Sequence, residues 1–289
     1  MRKLSPLHVE QIRNLRKNGL AYKKIARRLQ ISPSTVSKYS RNIILSREKK
    51  KQLEENQSKN RQKFASNYAR EKPIKLPKFD ENFANLLGHL FFDGSVSYHN
   101  GKFVLSYTNS SKKAINSFNK KIDSCFGLTP SKIYKVKGKN TDWFMAQTYS
   151  KKAYSYLKSI SCSFSTSEGI GIPKEIINSN FSMKASFLRA FWDDEGSISN
   201  TSELTGTSNS EKMIDDLITI HKEFGIICSK YRQVKEMGKD IFHLRINGNE
   251  DNFSRFIEKI GFEHAIITRG HHIGKYKKDV LRKSMGRYR

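Results

Sequence analysis

Apolar residues recur with helical spacing in two stretches near the start of the chain, residues 6–18 and residues 22–30. Ser32 and Pro33 follow, and these residue types favour a helix N-cap and a first helical position. A third helix is therefore predicted over residues 34–41. Together the three stretches predict a small all-α domain.

A longer pattern occurs twice between residues 80 and 268. Each copy begins with an apolar helical stretch and continues with two strand-like runs, a helix, two more strand-like runs and a last helix. In the first copy, Asn100-Gly101 is a hairpin turn signal between the first two strands. Corresponding residues lie 98 to 102 positions apart. The simplest interpretation is a duplicated αββαββα unit with pseudo-two-fold symmetry, which gives an α+β fold class.

The fourth strand of each copy alternates apolar and polar residues, and this alternation identifies its buried face. The positions predicted to face the core are Phe144, Ala146 and Thr148 in the first copy and Phe242, Leu244 and Ile246 in the second. The alternate positions Gln147 and Arg245, with His243 nearby, are predicted to face outward.

Composition separates these units from the remaining segments. One segment, rich in Lys, Arg, Gln and Asn with few large apolar residues, is interpreted as a basic linker. The C-terminal segment, rich in His, Lys, Arg and Gly, is interpreted as a basic tail that contacts phosphate. The predicted organisation is a helical domain at 1–43, a linker at 44–79, repeats at 80–180 and 181–268, and a tail at 269–289.

The net charge indicates the kind of partner. The 289 residues carry 54 Lys and Arg against 27 Asp and Glu, a formal net charge of +27. Such a charge favours a polyanion, and nucleic acid comes before an acidic membrane surface. Three scattered cysteines give neither a zinc site nor a disulfide framework. We find no signal peptide and no apolar run long enough to span a membrane, so we expect a cytoplasmic, nucleoid-associated protein.

The first helix of each repeat ends in an acid followed by Gly-Ser. The acids are Asp93 and Glu195, 102 positions apart, after the apolar stretches that begin at Leu86 and Leu188. A chain that repeats such an element is expected to bring the copies together. Two carboxylates that meet indicate a metal site, because oxygen ligands suit Mg²⁺ or another divalent cation.

The N-terminal helices resemble a helix-turn-helix of the resolvase or transposase type. In such a motif the third helix enters the major groove of DNA. The resemblance implies that Ser34, Thr35, Ser37 and Lys38 contact base edges and that Arg41 contacts phosphate. A small protein-binding module is the alternative.

The duplicated unit resembles the LAGLIDADG homing endonucleases in their single-chain, two-repeat form. The nine-residue motif overlays 86–94 and 188–196, with small residues Gly88 and Ala190 at its third position. The resemblance implies that these small residues let two helices approach closely at the interface. It also implies that Asp93 and Glu195 are catalytic and hold metal, helped by the backbone carbonyls of Phe92 and Asp194. The expected activity is hydrolysis of phosphodiester bonds in a specific double-stranded DNA, by a monomer.

The same resemblance implies that the strands form a saddle over the major groove of DNA. Long polar and basic side chains on the exposed face of the saddle then suit base edges and phosphates. The predicted DNA-contacting residues of the two sheets are Lys135, Lys137, Gln147, Gln233, Lys235, His243 and Arg245.

Four other functions are weighed against the sequence. A non-catalytic DNA-binding regulator and an RNA-binding maturase, with intron RNA as its partner, are expected on the same fold, although loss of both acids would favour them and both acids are present. An endonuclease embedded in an intein is disfavoured, because the first residues offer no splicing nucleophile and the end lacks a terminal His-Asn. A transposase would need a separate acidic triad, which we do not find.

Overall fold

The computed structural model describes residues 4–56, 58, 73–129, 133–138, 142–199, 203–234, 238, 240–268, 270 and 272–285. The chain forms two compact units, Met1–Lys72 and Pro73–Arg289. No helix among these described residues is long and apolar enough to cross a lipid bilayer.

The N-terminal unit contains the three predicted helices, each within one residue of its expected bounds at either end. They are α1 (Pro6–Lys17), α2 (Tyr22–Leu29) and α3 (Pro33–Ser40), and residues 47–56 add a fourth helix, α4. A small core of Ile12, Ile25, Ala26 and Val36 holds the first three helices together. The Ser32 hydroxyl caps α3 and accepts a hydrogen bond from the Thr35 amide at 3.1 Å, which confirms the predicted N-cap.

The second unit consists of two αββαββα halves, as the duplicated pattern predicts. The first half contains α5 (Glu81–Phe91), β1 (Gly94–His99), β2 (Lys102–Asn109), α6 (Lys112–Phe126), β3 (Tyr134–Val136), β4 (Trp143–Tyr149) and α7 (Lys151–Ile160). A 3₁₀ turn (Thr166–Glu168) and the short helix α8 (Lys174–Ile177) lead to the second half. The second half contains α9 (Phe181–Asp194), β5 (Gly196–Ile198), β6 (Leu204–Ser208), α10 (Glu211–Glu223), β7 (Cys228–Gln233), β8 (Ile241–Ile246) and α11 (Glu250–Lys259).

Each half has one four-stranded antiparallel sheet, and the two sheets have the same strand order. The orders are β1-β2-β4-β3 and β5-β6-β8-β7. The predicted hairpin between β1 and β2 turns at Asn100 and Gly101, which have φ values of +49° and +75°. Positive φ at both central residues matches the right-handed twist of the flanking strands. The buried residues Ala146, Thr148 and Leu244 confirm the predicted core face of the fourth strands.

Helices α5 and α9 form the most extensive contact between described elements and run through the centre of this unit. Both helices are buried along nearly their whole length. Gly88 lies directly against Ala190: a β-carbon added at Gly88 would come within 2.6 Å of the Ala190 β-carbon and 3.0 Å of the Phe187 carbonyl oxygen. The small residues therefore set how closely the two helices approach.

The C-terminal segment differs from the predicted basic tail. Residues Lys277–Met285 form helix α12, and Ile266 pairs with Tyr276 in an isolated bridge just before it. Val280 and Leu281 are buried in the second unit. The prediction of a tail was wrong for α12, because the few apolar residues of a basic segment are enough to anchor one short helix to an existing core.

Candidate functional site

The two acids of the repeated motif lie at equivalent ends of the central helices. Phe92 ends α5 and Asp93 follows it, directly before β1, while Glu195 is the C-cap of α9, directly before β5. The next residue must be glycine in both halves. A β-carbon at Gly94 would lie 2.6 Å from the His89 carbonyl oxygen. A β-carbon at Gly196 would lie 2.4 Å from the carbonyl oxygen of Trp192.

The two acids are half-buried, and their negative charges disfavour each other. Burial raises the pKa of Asp93 from 3.8 to about 9, and the neighbouring charges of Asp194 and Glu195 add to the rise. Burial also raises the pKa of Glu195, although the charge of Lys277 and a 3.4 Å hydrogen bond from the Thr207 hydroxyl oppose that rise. Carboxylates held together out of water at helix C-termini are unfavourable when ionised. A divalent cation would remove this penalty, so the residues fit a metal with oxygen ligands.

This arrangement makes the stability of the metal-free protein depend on pH. Between pH 3.8 and about 9 the unfolded chain loses a proton from Asp93 that the folded chain keeps, so stability falls as pH rises through this window. In EDTA, Asp93→Asn is expected to unfold at a higher temperature than wild type at pH 8. The difference should shrink as pH falls towards 4, as measured by thermal unfolding monitored by circular dichroism.

The control for this prediction is Asp123→Asn, because Asp123 is an exposed acid on α6. That variant should follow wild type at every pH. A constant difference between Asp93→Asn and wild type from pH 4 to pH 8 would show that Asp93 is ionised in the folded protein.

The side chain of Asp194 is buried, whereas its main chain is exposed to solvent. The side chain is 0% exposed, although the residue as a whole is half-buried, so the exposed part is main chain. The carboxylate accepts a 2.6 Å hydrogen bond from the Tyr107 hydroxyl, and His89 Nδ1 lies 2.8 Å from its other oxygen. Tyr107 and His89 belong to the first half, so this carboxylate links the two halves and leaves the Asp194 peptide available at the surface.

His89 and Asp194 are polar residues in different copies of the repeated motif. Each supplies one partner of the contact between halves. Burial lowers the pKa of His89 to about 4, so the imidazole is neutral at physiological pH. Sequence comparison of one half with the other could not reveal this pairing, because the two residues are not equivalent positions.

A second group of possible metal ligands lies beside the acids. Among the described residues, three ligand atoms come within 4.8 Å of one another in one place, at His89, Asp193 and Glu263. These groups already have partners. The Asp193 carboxylate accepts main-chain hydrogen bonds from Glu263 at 3.0 Å and His264 at 3.2 Å. The Glu263 carboxylate lies 3.1 Å from the Lys121 ammonium. The group is therefore a satisfied polar network, whereas Asp93 and Glu195 would repel each other if both were ionised without a cation.

Lys277 is a further residue of this site that the sequence analysis missed. Its ammonium group is buried and donates to the carbonyl oxygens of Trp192 at 3.1 Å and Asp193 at 2.7 Å. Burial lowers its pKa, and the charges of four carboxylates oppose the lowering. A single lysine in a segment full of Lys and Arg gives no signal in the sequence.

The outward face of each sheet follows from strand register. Gln147 pairs with Ser106, and Arg245 pairs with both Thr205 and Ser229, so these side chains share faces opposite the buried positions. His243 stacks on Tyr231, with ring centroids 4.3 Å apart. The predicted outward positions Gln147, Gln233, His243 and Arg245 all lie on this face, and Arg245 forms an ion pair with Glu203.

Lys135 lies on the opposite face from the one predicted. It pairs with Phe144, a core-side residue, and forms an ion pair with Asp142 at 2.5 Å. The prediction treated Lys135 as the equivalent of Gln233, but strand pairing makes it the equivalent of Arg232, and a shift of one residue exchanges the two faces of a strand. Lys137 follows the end of β3 and is exposed. Lys235 lies outside the described residues.

The predicted contact residues of the N-terminal unit lie along α3. Ser34 and Lys38 are exposed, and Arg41 is exposed at the end of the helix. Ser37 is half-buried. The Thr35 hydroxyl lies 2.7 Å from the hydroxyl of the N-cap Ser32. Residues 1–72 contain 20 Lys and Arg against 5 Asp and Glu, so this unit carries a large share of the positive charge.

Comparison with known proteins identifies both units at the level of fold. Residues 182–261 match the family model of the LAGLIDADG-like domain. Residues 1–38 match that of a helix-turn-helix domain. The second unit is a mixed α/β structure with a LAGLIDADG-like fold, and the first is a helical helix-turn-helix region.

Two curated relatives share limited identity with the chain. The replication factor C small subunit of Methanocaldococcus jannaschii is 27% identical over 184 residues, which is 64% of this chain and 10% of that protein. The same subunit of Thermococcus kodakarensis is 25% identical over 197 residues, which is 66% of this chain and 21% of that protein. The chain therefore spans about a tenth and a fifth of the length of these relatives.

Similar solved structures include I-DmoI in complex with DNA and Mn, with a TM-score of 0.49 and 18% identity over 65% of this chain and 99% of that one. Full-length DUF199/WhiA from Thermatoga maritima has a TM-score of 0.48 and 14% identity over 75% of this chain and 63% of that one.

Proposed function

We propose that this chain is a site-specific DNA endonuclease of the homing type. In this proposal it hydrolyses phosphodiester bonds of double-stranded DNA with a divalent cation, Mg²⁺ or a similar ion, held between α5 and α9. The observation that carries the proposal is the pair Asp93 and Glu195, two half-buried acids at the ends of α5 and α9, helices that pack closely at Gly88 and Ala190. One chain supplies both acids, so the proposed enzyme acts as a monomer.

Each residue of the proposed site has a role that follows from its position. The carboxylates of Asp93 and Glu195 would hold the cation, and the main-chain carbonyls of Phe92 and Asp194 would add oxygen ligands. A bound divalent cation stabilises the leaving oxygen and activates water for in-line attack. His89 and Tyr107 fix the Asp194 carboxylate in the interior, which leaves the Asp194 main chain accessible and would let its carbonyl serve as a ligand.

The outward sheet faces are the proposed DNA-binding surface. Gln147 and Gln233 can read base edges by bidentate hydrogen bonds. His243 and Arg245 add polar contacts, and the Arg245 pair with Glu203 would exchange for a phosphate or base contact. This surface supplies specificity, and the strongly basic N-terminal unit adds affinity or extends the recognised site through a second, linked contact.

The contribution of the helix-turn-helix can be measured by the salt dependence of binding. Lys38→Gln combined with Arg41→Gln is expected to weaken DNA binding and to reduce the slope of log K against log salt by about 0.9 for each phosphate that the variant no longer neutralises. The control is Lys158→Gln, on α7 of the second unit, which should leave the slope unchanged. An unchanged slope in the double variant would exclude phosphate binding by α3.

A selection followed by a cleavage assay tests the proposed activity. Random duplex DNA bound by the full chain would be enriched in the presence of Ca²⁺ and sequenced, and the enriched duplex would then be incubated with Mg²⁺ or Mn²⁺. We expect cleavage of both strands within the enriched sequence and none in EDTA. Binding of a specific duplex without any cleavage would contradict the endonuclease proposal.

A DNA-binding protein without nuclease activity is the second candidate. The observation that favours it is Lys277, an internal cation that already offsets part of the negative charge around Asp93 and Glu195. In that case the acids would keep their places without a metal. The cleavage assay separates the two candidates, because the second predicts specific binding without cleavage in Mg²⁺ or Mn²⁺.

A further inference from the structure

Lys277 closes the end of the helix that carries Glu195. The last carbonyl groups of an α-helix have no partner within the helix. At the end of α9 the Phe191 carbonyl accepts from the Glu195 amide at 2.8 Å, and the next two carbonyls, those of Trp192 and Asp193, both accept from the Lys277 ammonium. The first residue of α12 therefore completes the C-terminus of α9.

The equivalent place in the first half has no such group. The carbonyls of Leu90 and Phe91 correspond to those of Trp192 and Asp193, and no described side chain donates to either one. Helix α5 also ends one residue earlier: its C-cap is Phe92, the equivalent of Asp194, whereas α9 continues through Asp194 and has Glu195 as its C-cap. The two halves thus present their acids through different backbone arrangements, and only one of these depends on a buried lysine among the described residues.

Burying an ammonium group costs free energy, so the buried position of Lys277 requires an explanation. Taking a charge out of water costs several kcal/mol unless hydrogen bonds and opposite charges compensate. Lys277 receives both, from two carbonyls and from the surrounding carboxylates. A glycine or an ordinary polar cap would end α9 at lower cost. The lysine additionally fixes the two peptides that lead into Asp194, one residue before Glu195.

We infer that Lys277 is a positioning residue of the proposed metal site: its ammonium group holds the last turn of α9 so that the Asp194 carbonyl and the Glu195 carboxylate point at one cation. The inference rests on the proposed function, because it assumes that these groups are ligands. It makes the C-terminal helix α12 a required part of the site.

If Lys277 acts only through its charge, replacing it should strengthen cation binding. If it positions the ligands, replacing it should weaken cation binding. Removing a positive charge beside a cation site strengthens cation binding by simple electrostatics. Removing a group that orients ligands weakens metal binding by about 10- to 100-fold. Lys277→Met keeps the length of the side chain and removes both the charge and the donor, so the direction of its effect decides between the two roles.

The test measures Mn²⁺ binding to the full chain by isothermal titration calorimetry. We expect Lys277→Met to bind Mn²⁺ about 10- to 100-fold more weakly than wild type. Lys277→Gln keeps an N–H donor without the charge and should recover part of the affinity. The charge-matched control is Lys275→Met, two residues away and exposed, which should bind as wild type does. Thermal unfolding checks that each variant is folded.

If Lys277→Met does not fold, the test uses Lys277→Gln instead. The rise in melting temperature that Mn²⁺ produces is then compared between Lys277→Gln and wild type.

The outcomes separate this inference from the proposed function. Equal or tighter Mn²⁺ binding by folded Lys277→Met or Lys277→Gln, with binding still lost in Asp93→Asn and Glu195→Gln, overturns the positioning role and leaves the metal site standing. Mn²⁺ binding that is unchanged in Asp93→Asn and Glu195→Gln overturns the metal site and the inference together.

Discussion

Asp93→Asn and Glu195→Gln are each expected to reduce DNA cleavage by about 100- to 1000-fold, while specific DNA binding in Ca²⁺-free buffer changes little. The expected loss is of the size seen when one group that stabilises transition-state charge is removed. Each substitution keeps the shape of the side chain and removes one charged oxygen ligand. The measurement is the single-turnover cleavage rate on the selected duplex at saturating Mg²⁺, with binding measured separately by fluorescence anisotropy.

Two matched variants control for loss of an acid elsewhere. Asp123→Asn and Glu258→Gln remove exposed acids from α6 and α11 and should cut at the wild-type rate. If either site variant cuts as fast as its control, that carboxylate is not a metal ligand. If both site variants lose binding together with cleavage, the acids act on structure rather than on the reaction.

Enlarging Gly88 is expected to destabilise the whole second unit, because the central helices cannot separate without opening the core around them. A β-carbon at this position would lie 2.6 Å from the Ala190 β-carbon, well inside van der Waals contact. Overpacking of this kind costs about 1–3 kcal/mol. For a unit of this size, we expect Gly88→Ala to lower the melting temperature by about 2–4 °C for each kcal/mol.

A reciprocal substitution tests whether the contact with Ala190 is the cause. Gly88→Ala combined with Ala190→Gly moves the methyl group to the other helix and should recover much of the lost stability, although the Phe187 carbonyl oxygen at 3.0 Å stays close. Gly169→Ala is the control for a glycine with open space around it, and its positive φ of +72° gives a small cost of its own. If the double variant is no more stable than Gly88→Ala, the clash with the Ala190 β-carbon is not the cause of the lost stability.

The periodic parts of the fold could be predicted from the sequence. Period-3.6 apolar stretches and the Asn100-Gly101 turn are local signals, and the duplication repeats the apolar stretches, so the element order and the buried positions Ala146 and Leu244 are as expected. The edge strands lack such a signal. In β3 the strand is three residues long and fully exposed, so nothing in its pattern fixes the register, and Lys135 was placed on the wrong face.

The repeated acids could be found because they stand at equivalent positions, but their surroundings could not. His89 and Asp194 contact each other across the two halves, and repeat alignment compares equivalent residues rather than contacting ones. Lys277 comes from a segment outside the duplication, and its burial depends on tertiary packing of α12. Contacts between the two halves, or between a half and the C-terminal segment, produce no periodic pattern in the sequence. These contacts determine the surroundings of the two acids.

Anomalous diffraction from Mn²⁺-containing crystals of the full chain tests directly whether Asp93 and Glu195 hold a cation. We expect an anomalous peak between the carboxylates of Asp93 and Glu195, absent in crystals of Asp93→Asn. A peak at His89, Asp193 and Glu263 instead, with none between Asp93 and Glu195, would contradict the proposed site.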